Sequence, residues 1–469
     1  MFGWLKRDKA TKAKRRYQAA VYNRLTADWI SDTKSADASV KYDLETLRNR
    51  VRELCQNDDY AVRYLQLLSS NVIGSSGILM EMDVREPTGQ PDELANRLIE
   101  EQWRVFAKSP CTDNRSTLLD LQHLAMQSIA RDGEILFRKI PNYGPSNFAL
   151  QPMEADYLDE SYNLEVDHNG TEIRMGVEIN RYGVPVAYHM RTRHPGDRFA
   201  SSRVRVPASE IIHVYRQERV GQNRGIPWLA TAATGLHHLR QYHQSELVAA
   251  RINSMKLGFF TSDKEADVQF TGDDEDDAGN QILDMSPGSF SELPPGMRVE
   301  KFDATNPHSN FEPFTKSILR SVASSLGVSY NSLASDLESV NYSSLRAGAL
   351  EEREYFKTVQ QFLIAHMMQP IFEAWLMHKL RRGDLNLPVA KADKFNAARF
   401  IPRRWSWVDP AKDISATVDA INNGLKTRGD IIAENYGGSI QDFYARFSRE
   451  EELRKAAGIE FDEKGVMRG

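Results

Sequence analysis

Chemistry on a polymer usually needs a phosphate cradle, a metal cluster or an activated nucleophile, and each has a recognisable spacing. The chain has no G-x-x-x-x-G-K-[ST]: Gly221 to Gly225 is followed by Ile226 where a phosphate loop needs lysine, and no G-x-G-x-x-G occurs. The acidic run Asp273, Asp274, Glu275, Asp276, Asp277 precedes Gly279. Setting Gly279 on the glycine of a calcium loop places Asp274 and Asp276 correctly, but Ala278 and Met285 then fall where ligands are required. The run therefore reads as a solvated acidic loop that repels phosphates or attracts a basic partner. Asp273, Asp274 and Glu275 also carry the one enzymatic alternative, a metal-dependent nuclease, on acid density alone. His237, His238 and His243, with Glu246, form no H-E-x-x-H, and positions 238 and 243 do not share a helix face. They read as polar positions on a packed helix. No G-x-S-x-G is present, and neither Cys55 nor Cys111 has a nucleophile's context. The expectation is a protein without catalytic residues, metal or cofactor.

One basic cluster remains. Between Arg191 and Arg224 lie eight arginines (191, 193, 198, 203, 205, 216, 219 and 224), no lysine and three acids. Arginine's planar fork suits interfacial ion pairs and phosphates alike, so inter-subunit pairing and DNA contact both stand open. The whole chain is mildly acidic, with net charge −5, which argues against a general nucleic-acid coat. Two cysteines make no disulfide framework and fit a reducing compartment. No stretch of about 18 apolar residues occurs, so no membrane partner is expected. Residues 1–17 are basic without an apolar core before a cleavage site, which excludes a secretory signal.

The elements that must carry these residues are readable from periodicity. At 469 residues the length alone gives a prior of about three domains. Leu44, Leu47, Val51 and Leu54 recur at helical spacing, and Asn57 reads as the N-cap of a second helix ending before Gly74. A strand is expected over Ile78 to Val84, and a helix over Glu93 to Lys108. Another helix is capped by Ser116 or Thr117 and closed by Gly133. From Glu134 to Tyr215 short apolar runs separated by turn residues predict a mixed, strand-rich region, with strands over Ile135–Ile140, Ile173–Ile179, Val184–Arg191 and Ile211–Tyr215. Helical spacing returns from Trp228 to Met255. Residues 258–310 hold four prolines, several glycines and the acidic run, and read as a small projecting strand-and-loop module between two helices. The second of those helices covers Phe311 to Leu326. A polar segment over Gly327 to Tyr342 then precedes the longest pattern, Ser343 to Leu380. Ala349, Phe356, Val359, Leu363, Met367, Ile371 and Ala374 form its apolar stripe. Such a helix would run about 57 Å, with a kink at Pro370.

Several short motifs in this order resemble the portal proteins of tailed bacteriophages, in their lambda-type branch. They are Asp132-Gly133-Glu134; Val177 to Gly183 (VEINRYG) with Ala187 and Tyr188; Ile211 to Arg216 (IIHVYR); Gln222 to Trp228 (QNRGIPW); and Glu246 to Ala250 (ELVAA). Gly327 to Tyr330 (GVSY), Leu333, Asp336, Asn341 to Ser344 (NYSS), and Trp407 to Pro410 (WVDP) with Lys412 complete the set. Together they span roughly residues 110–415.

The resemblance implies an α+β, portal-type ring subunit with a mixed α/β wing, helical stem, small strand-rich clip and helical C-terminal crown. The corresponding segments are a basic arm at 1–40, wing at 41–226, stem helix at 227–256, clip at 257–310, second stem helix at 311–326, tunnel loop at 327–342, long wing helix at 343–382 and crown region at 383–469. It further implies a ring of about 12 copies at one capsid vertex, its charge about −60 in total. Double-stranded DNA would be packaged and ejected through the channel without sequence readout. The terminase large subunit, scaffold and major capsid protein, and head-completion or adaptor proteins would be the protein partners. The location would be the virion, and the host cytoplasm during assembly. Ser329, Tyr330, Asn331, Ser332, Ser335, Asn341, Tyr342 and Arg346 would line the channel, the segment's serines and asparagines giving short polar side chains suited to a sliding duplex. Asp273 to Asp277 would bind partners from the clip. A cytoplasmic scaffold unrelated to phage is the remaining alternative.

Overall fold

A computed structural model describes residues 17–21, 24, 27–166, 170–197, 200–254, 258–262, 274–275, 281–282, 297–301, 310–338, 341–405, 410–436, 440–458, 460–461 and 467–468. The chain divides into two compact units, one of Met1–Ser339 with Ala349–Pro402 and one of Val340–Gly348 with Arg403–Gly469.

The first unit opens with three helices, α1 (Ala36–Val40), α2 (Leu44–Asn57) and α3 (Asp59–Leu68). The cap of α3 is Asp58, not Asn57: its carboxylate accepts from the backbone of Tyr60 at 3.1 Å and Ala61 at 2.9 Å, while Asn57 ends α2. A wide five-residue turn, Ser69–Ile73, carries α3 to Gly74. Strand β1 (Leu79–Met82) follows, then α4 (Glu93–Lys108) and α5 (Leu118–Asp132). Thr117 is the cap of α5. Its side chain accepts from Asp120 N–H while the Asp120 carboxylate reaches back to the Thr117 N–H. Gly133 closes the helix at φ 91°.

Strands β2 (Glu134–Pro141) and β3 (Phe148–Met153) form an antiparallel sheet with β8 (Ile211–Tyr215), in the order β3-β2-β8. Between β3 and β8 the chain builds a second sheet from β4 (Glu172–Arg174), β5 (Val177–Ile179), β6 (Pro185–Arg191) and β7 (Arg203–Pro207). The run Ile173–Ile179, expected as one strand, is a hairpin. Met175 and Gly176 have φ of 47° and 83°, and a Cβ on Gly176 would lie 2.7 Å from the Asp159 carbonyl oxygen, so only glycine fits the reversal. Leu136, Leu158, Val177, Ile179, Tyr188, Met190 and Val206 pack the space between these strands.

Helix α6 (Ala230–Ser254) leads to β9 (Gly258–Ser262), β10 (Asp274–Glu275), β11 (Gln281–Ile282) and β12 (Met297–Lys301). Strand β9 pairs with β12 and β10 with β11, all antiparallel; the rest of 255–309 lies outside the described residues. Helix α7 (Phe311–Leu326) packs on α6, with Tyr242 edge-on to Phe314 at 5.2 Å, and Gly327 ends it at φ 70°. After the short α8 (Tyr330–Ala334) come α9 (Tyr342–Leu363) and α10 (Gln369–Arg382).

The long helix expected over Ser343–Leu380 is therefore two helices joined by a wide turn, Ile364–Met368, in which Gln369 N–H bonds Ile364 O five residues back. Pro370 sits in the first turn of α10. Lacking an N–H, it could not bond the His366 carbonyl, and its ring would crowd it in a regular helix. One extra residue in the turn relieves both problems. Phe356, Val359, Leu363, Met367, Ile371 and Trp375 are buried along one side. Trp375 meets Trp103 edge-on at 5.1 Å and lies with Phe372 and Phe106 in an aromatic core. The unit finishes with α11 (Ala392–Phe395) and β13 (Ala398–Ile401), which pairs with β1.

The second unit contains the start of α9 and α12 (Pro410–Asn422), α13 (Arg428–Tyr436) and α14 (Ile440–Ala456). Ile432 is buried there, while Val418, Tyr444, Phe447 and Leu453 are exposed.

Candidate functional site

Two polar constellations stand out, and the family-like motifs supply both. The first joins motifs about ninety positions apart. Glu134 opens β2 with its carboxylate fully buried. Arg224 Nε donates to its Oε1 at 2.7 Å, the Gly225 N–H to its Oε2 at 2.8 Å, and the His213 ring lies 2.9 Å from Oε2. Burial alone would push this carboxyl up, yet Arg224 and His213 outweigh it and hold it well below the ordinary carboxylate range. The other guanidinium nitrogens of Arg224 donate to the carbonyls of Met175 (2.8 Å) and Ala155 (3.2 Å), so one side chain ties β2 to the second sheet.

Beside it the two backbones cross in contact. A Cβ on Gly225 would fall 2.1 Å from the Gly133 carbonyl oxygen, and one on Gly133 would fall 2.6 Å from Ile226. The remaining motif residues complete the joint. Gln222 accepts from the backbone of Glu218 (2.8 Å) and donates to the Arg224 carbonyl (2.8 Å), and Asn223 donates its side chain to Asp37 at 2.7 Å. Trp228 N–H donates to Ala130 O at 3.0 Å. Asp132, also buried, receives Arg52 at 2.7 Å and Arg131 at 2.7 Å.

Ion pairs of the same kind hold much of the arginine cluster. Six of its eight members engage their own chain. Arg191 and Arg203 bind Asp159, Arg205 binds Glu178, and Arg224 binds Glu134; Arg216 binds Glu218, and Arg219 donates to the Lys34 carbonyl. Burial would raise Asp159, but bonds from Ser161, Arg191 and Arg203 bring it down to about 2. Within the chain these six are placed by acids and carbonyls, and in Arg205 the fork meets both oxygens of Glu178.

The second constellation is the polar segment after α7. Ser329 caps α8 by accepting from Ser332 N–H at 3.1 Å, and its own hydroxyl donates to Ser332 Oγ at 2.9 Å. Ser332 then donates to Glu352 Oε2 on α9 at 2.8 Å, and the Ser329 N–H reaches Glu352 Oε1 at 3.2 Å. From α3, Arg63 Nε donates to the Ser332 carbonyl at 3.1 Å. Tyr330 donates to Asp336 at 2.9 Å, with Arg320 of α7 over its ring at 5.5 Å. Ser335 takes a left-handed conformation at φ 53°. Of the channel candidates, Ser329, Tyr330, Asn331 and Ser332 are thus half-buried in a folded knot, and Ser335 is exposed at its end. Asn341 accepts from Ser344 N–H at 2.8 Å; Tyr342 opens α9 and Arg346 lies on its second turn.

Of the clip candidates, Asp274 and Glu275 form β10, and Asp273, Asp276 and Asp277 lie outside the described residues. His243 lies 3.1 Å from Thr315 across the α6–α7 pair, and His237 and His238 face a surface groove of about 630 Å³ between α2 and α6. Sequence reasoning missed the partners of the polar segment: Glu352, Arg63 and Lys316, whose ammonium lies 3.7 Å from Asp336. In sequence Glu352 is one of several charges on the long helical pattern, beside Glu351 and Arg353.

Fold and site together define an α+β subunit whose buried charges and polar motifs hold its own architecture. Residues 22–360 match the model of the phage portal protein, lambda family. The chain belongs to that family of phage portal proteins. It is 35% identical to the probable portal protein of Halomonas phage phiHAP-1, across 95% of this chain and 88% of the relative. It is 23% identical to portal protein B of Escherichia phage lambda, across 92% and 88%. A chain in the solved neck of an empty GTA particle is similar at 10% identity and a TM-score of 0.45, covering 85% of this chain and 94% of that one.

Proposed function

We propose that this portal protein assembles as a closed ring of about 12 copies around a channel at one capsid vertex, following the cyclic symmetry of homo-oligomers. Double-stranded DNA would pass through it during packaging and ejection. Two observations support the reading: the family match over residues 22–360, and the order of elements, α6, a strand-bearing insert, α7, a folded polar segment and a helical run from Tyr342 to Arg382. Chemistry would be left to partners: the terminase large subunit docking on the clip, scaffold and major capsid protein around the wing, and adaptor proteins after filling. Asp273 to Asp277 would give that clip a run of five acids for a basic partner.

The segment from Ser329 to Arg346 is assigned to the channel wall. Its serines, asparagines and tyrosines offer hydrogen bonds without a row of cations, and few tight cation–phosphate contacts leave a duplex free to slide. Size-exclusion with light scattering and negative-stain imaging test the ring. Rings are expected, and a chain that stays monomeric at high concentration under all salt conditions overturns the reading. Deleting Ser329 to Asn341 tests the channel assignment: DNA packaging or retention should fall while rings still form. Loss of rings, with DNA handling intact in any that remain, would make the segment an assembly element.

A further inference from the structure

We propose that Glu352 is the positioning residue of the channel segment: its carboxylate on α9 latches Ser329 and Ser332, and so fixes where the segment stands relative to the long helix. The geometry is a closed donor chain. Ser332 N–H donates to Ser329 Oγ, the Ser329 hydroxyl to Ser332 Oγ, and the Ser332 hydroxyl to Glu352 Oε2, while Ser329 N–H takes Oε1. Both carboxylate oxygens therefore serve one four-residue turn. A carboxylate offers two acceptor oxygens at this spacing from a single side chain, and a carboxamide keeps the spacing with one acceptor and one donor.

Two further contacts make this turn the segment's anchor. Arg63 of α3 holds the Ser332 carbonyl at 3.1 Å from another direction. One helical turn beyond Glu352, the Tyr355 ring lies 3.3 Å from where a Cβ on Gly327 would stand, so the chain enters the knot pressed against the same helix. Burial raises the Glu352 carboxyl, opposed by the bonds from Ser332 and Ser329. A half-buried acid kept at such a cost to its charged form is placed for the hydrogen bonds it accepts. Further along α9, Gln360 donates to the Val72 carbonyl at 3.1 Å, so the latch sits on a helix that is itself tied to the core.

The consequence for DNA rests on the channel reading above; the latch does not, and the experiment separates them. Amide exchange over residues 328–334 would be measured in assembled rings of the wild type, Glu352→Ala, Glu352→Gln and Glu351→Ala. Glu352→Ala should exchange about tenfold faster there, the factor expected when charge-assisted hydrogen bonds are lost. Glu352→Gln should stay near wild type, because the amide oxygen still accepts from Ser329 N–H and the amide nitrogen donates to Ser332 Oγ. Glu351→Ala, at an exposed neighbouring position, should change nothing. If Glu352→Ala yields no rings, Ser332→Ala replaces it, with faster exchange expected at Ser329.

Unchanged exchange in Glu352→Ala, or a glutamine variant as fast as alanine, overturns the latch. DNA retention in filled heads is then compared: a fall in Glu352→Ala rescued by Glu352→Gln supports both ideas. Faster exchange with normal retention keeps the latch but removes its role in holding DNA.

Discussion

At the residue scale, the family-like motifs serve internal architecture before anything else. Glu134, Arg224 and His213 form a buried charge joint, and breaking one member leaves another charge without a partner. Glu134→Gln should therefore cost about 3–5 kcal/mol in chemical denaturation. Because Glu134 is held below its ordinary value of 4.5, its contribution is present above that value and is lost as pH falls through the folded-state value. The wild type should lose stability on acidification below about pH 4.5, and Glu134→Gln should show less of that slope; an equal slope would remove Glu134 from the acid response. Gly225→Ala meets a backbone carbonyl, which cannot rotate away as a side chain can. A cost of about 1–3 kcal/mol is the ordinary range for overpacking, and this site belongs at its top. A melting temperature equal to the wild type's would mean the two backbones separate easily.

At the element scale, caps and turns decide where the periodic patterns stop. Asp58 shows this. It stands between α2 and α3 with its carboxyl buried and raised, burial outweighing the bonds from Ala61 and Tyr60. Asp58→Ala removes the acceptor and should destabilise by about 1–2 kcal/mol. Asp58→Asn keeps the oxygen and removes the buried charge, so it should match or exceed the wild type at neutral pH. A raised carboxyl favours the protonated folded state, so the wild-type deficit should shrink as pH falls through that value. An asparagine variant as unstable as alanine in thermal unfolding would refute this account. The α9–α10 junction follows similar logic: the apolar stripe is legible as one long helix, but Pro370 forces a wide turn that periodicity alone does not display.

At the scale of the whole molecule, the first unit carries the large apolar core, whereas the second exposes Val418, Tyr444, Phe447 and Leu453. On the proposed channel reading, a mildly acidic subunit repeated around the ring would give phosphates little to grip. Retention of DNA in filled heads should therefore depend only weakly on salt, unlike a protein neutralising many phosphates. A steep decrease in retention between low and physiological salt would show that cations line the passage.

How much was legible divides along the same scales. Helix and strand type, the limits Glu93–Lys108 and Phe311–Leu326, the missing phosphate cradle and the ordered motifs of the family are all properties of local spacing, and the amino-acid sequence by itself determined them. Which residue meets which was not local. Arginines 191 to 224 read equally as subunit or DNA contacts until Asp159, Glu178 and Glu134 were found opposite four of them. Glu352 was one charge among several until the chain brought it back on Ser329. Tertiary structure alone decided these roles, because an ion pair or hydrogen bond depends on a distance of about 3 Å, and that distance is set by the packing of distant segments rather than by residue type.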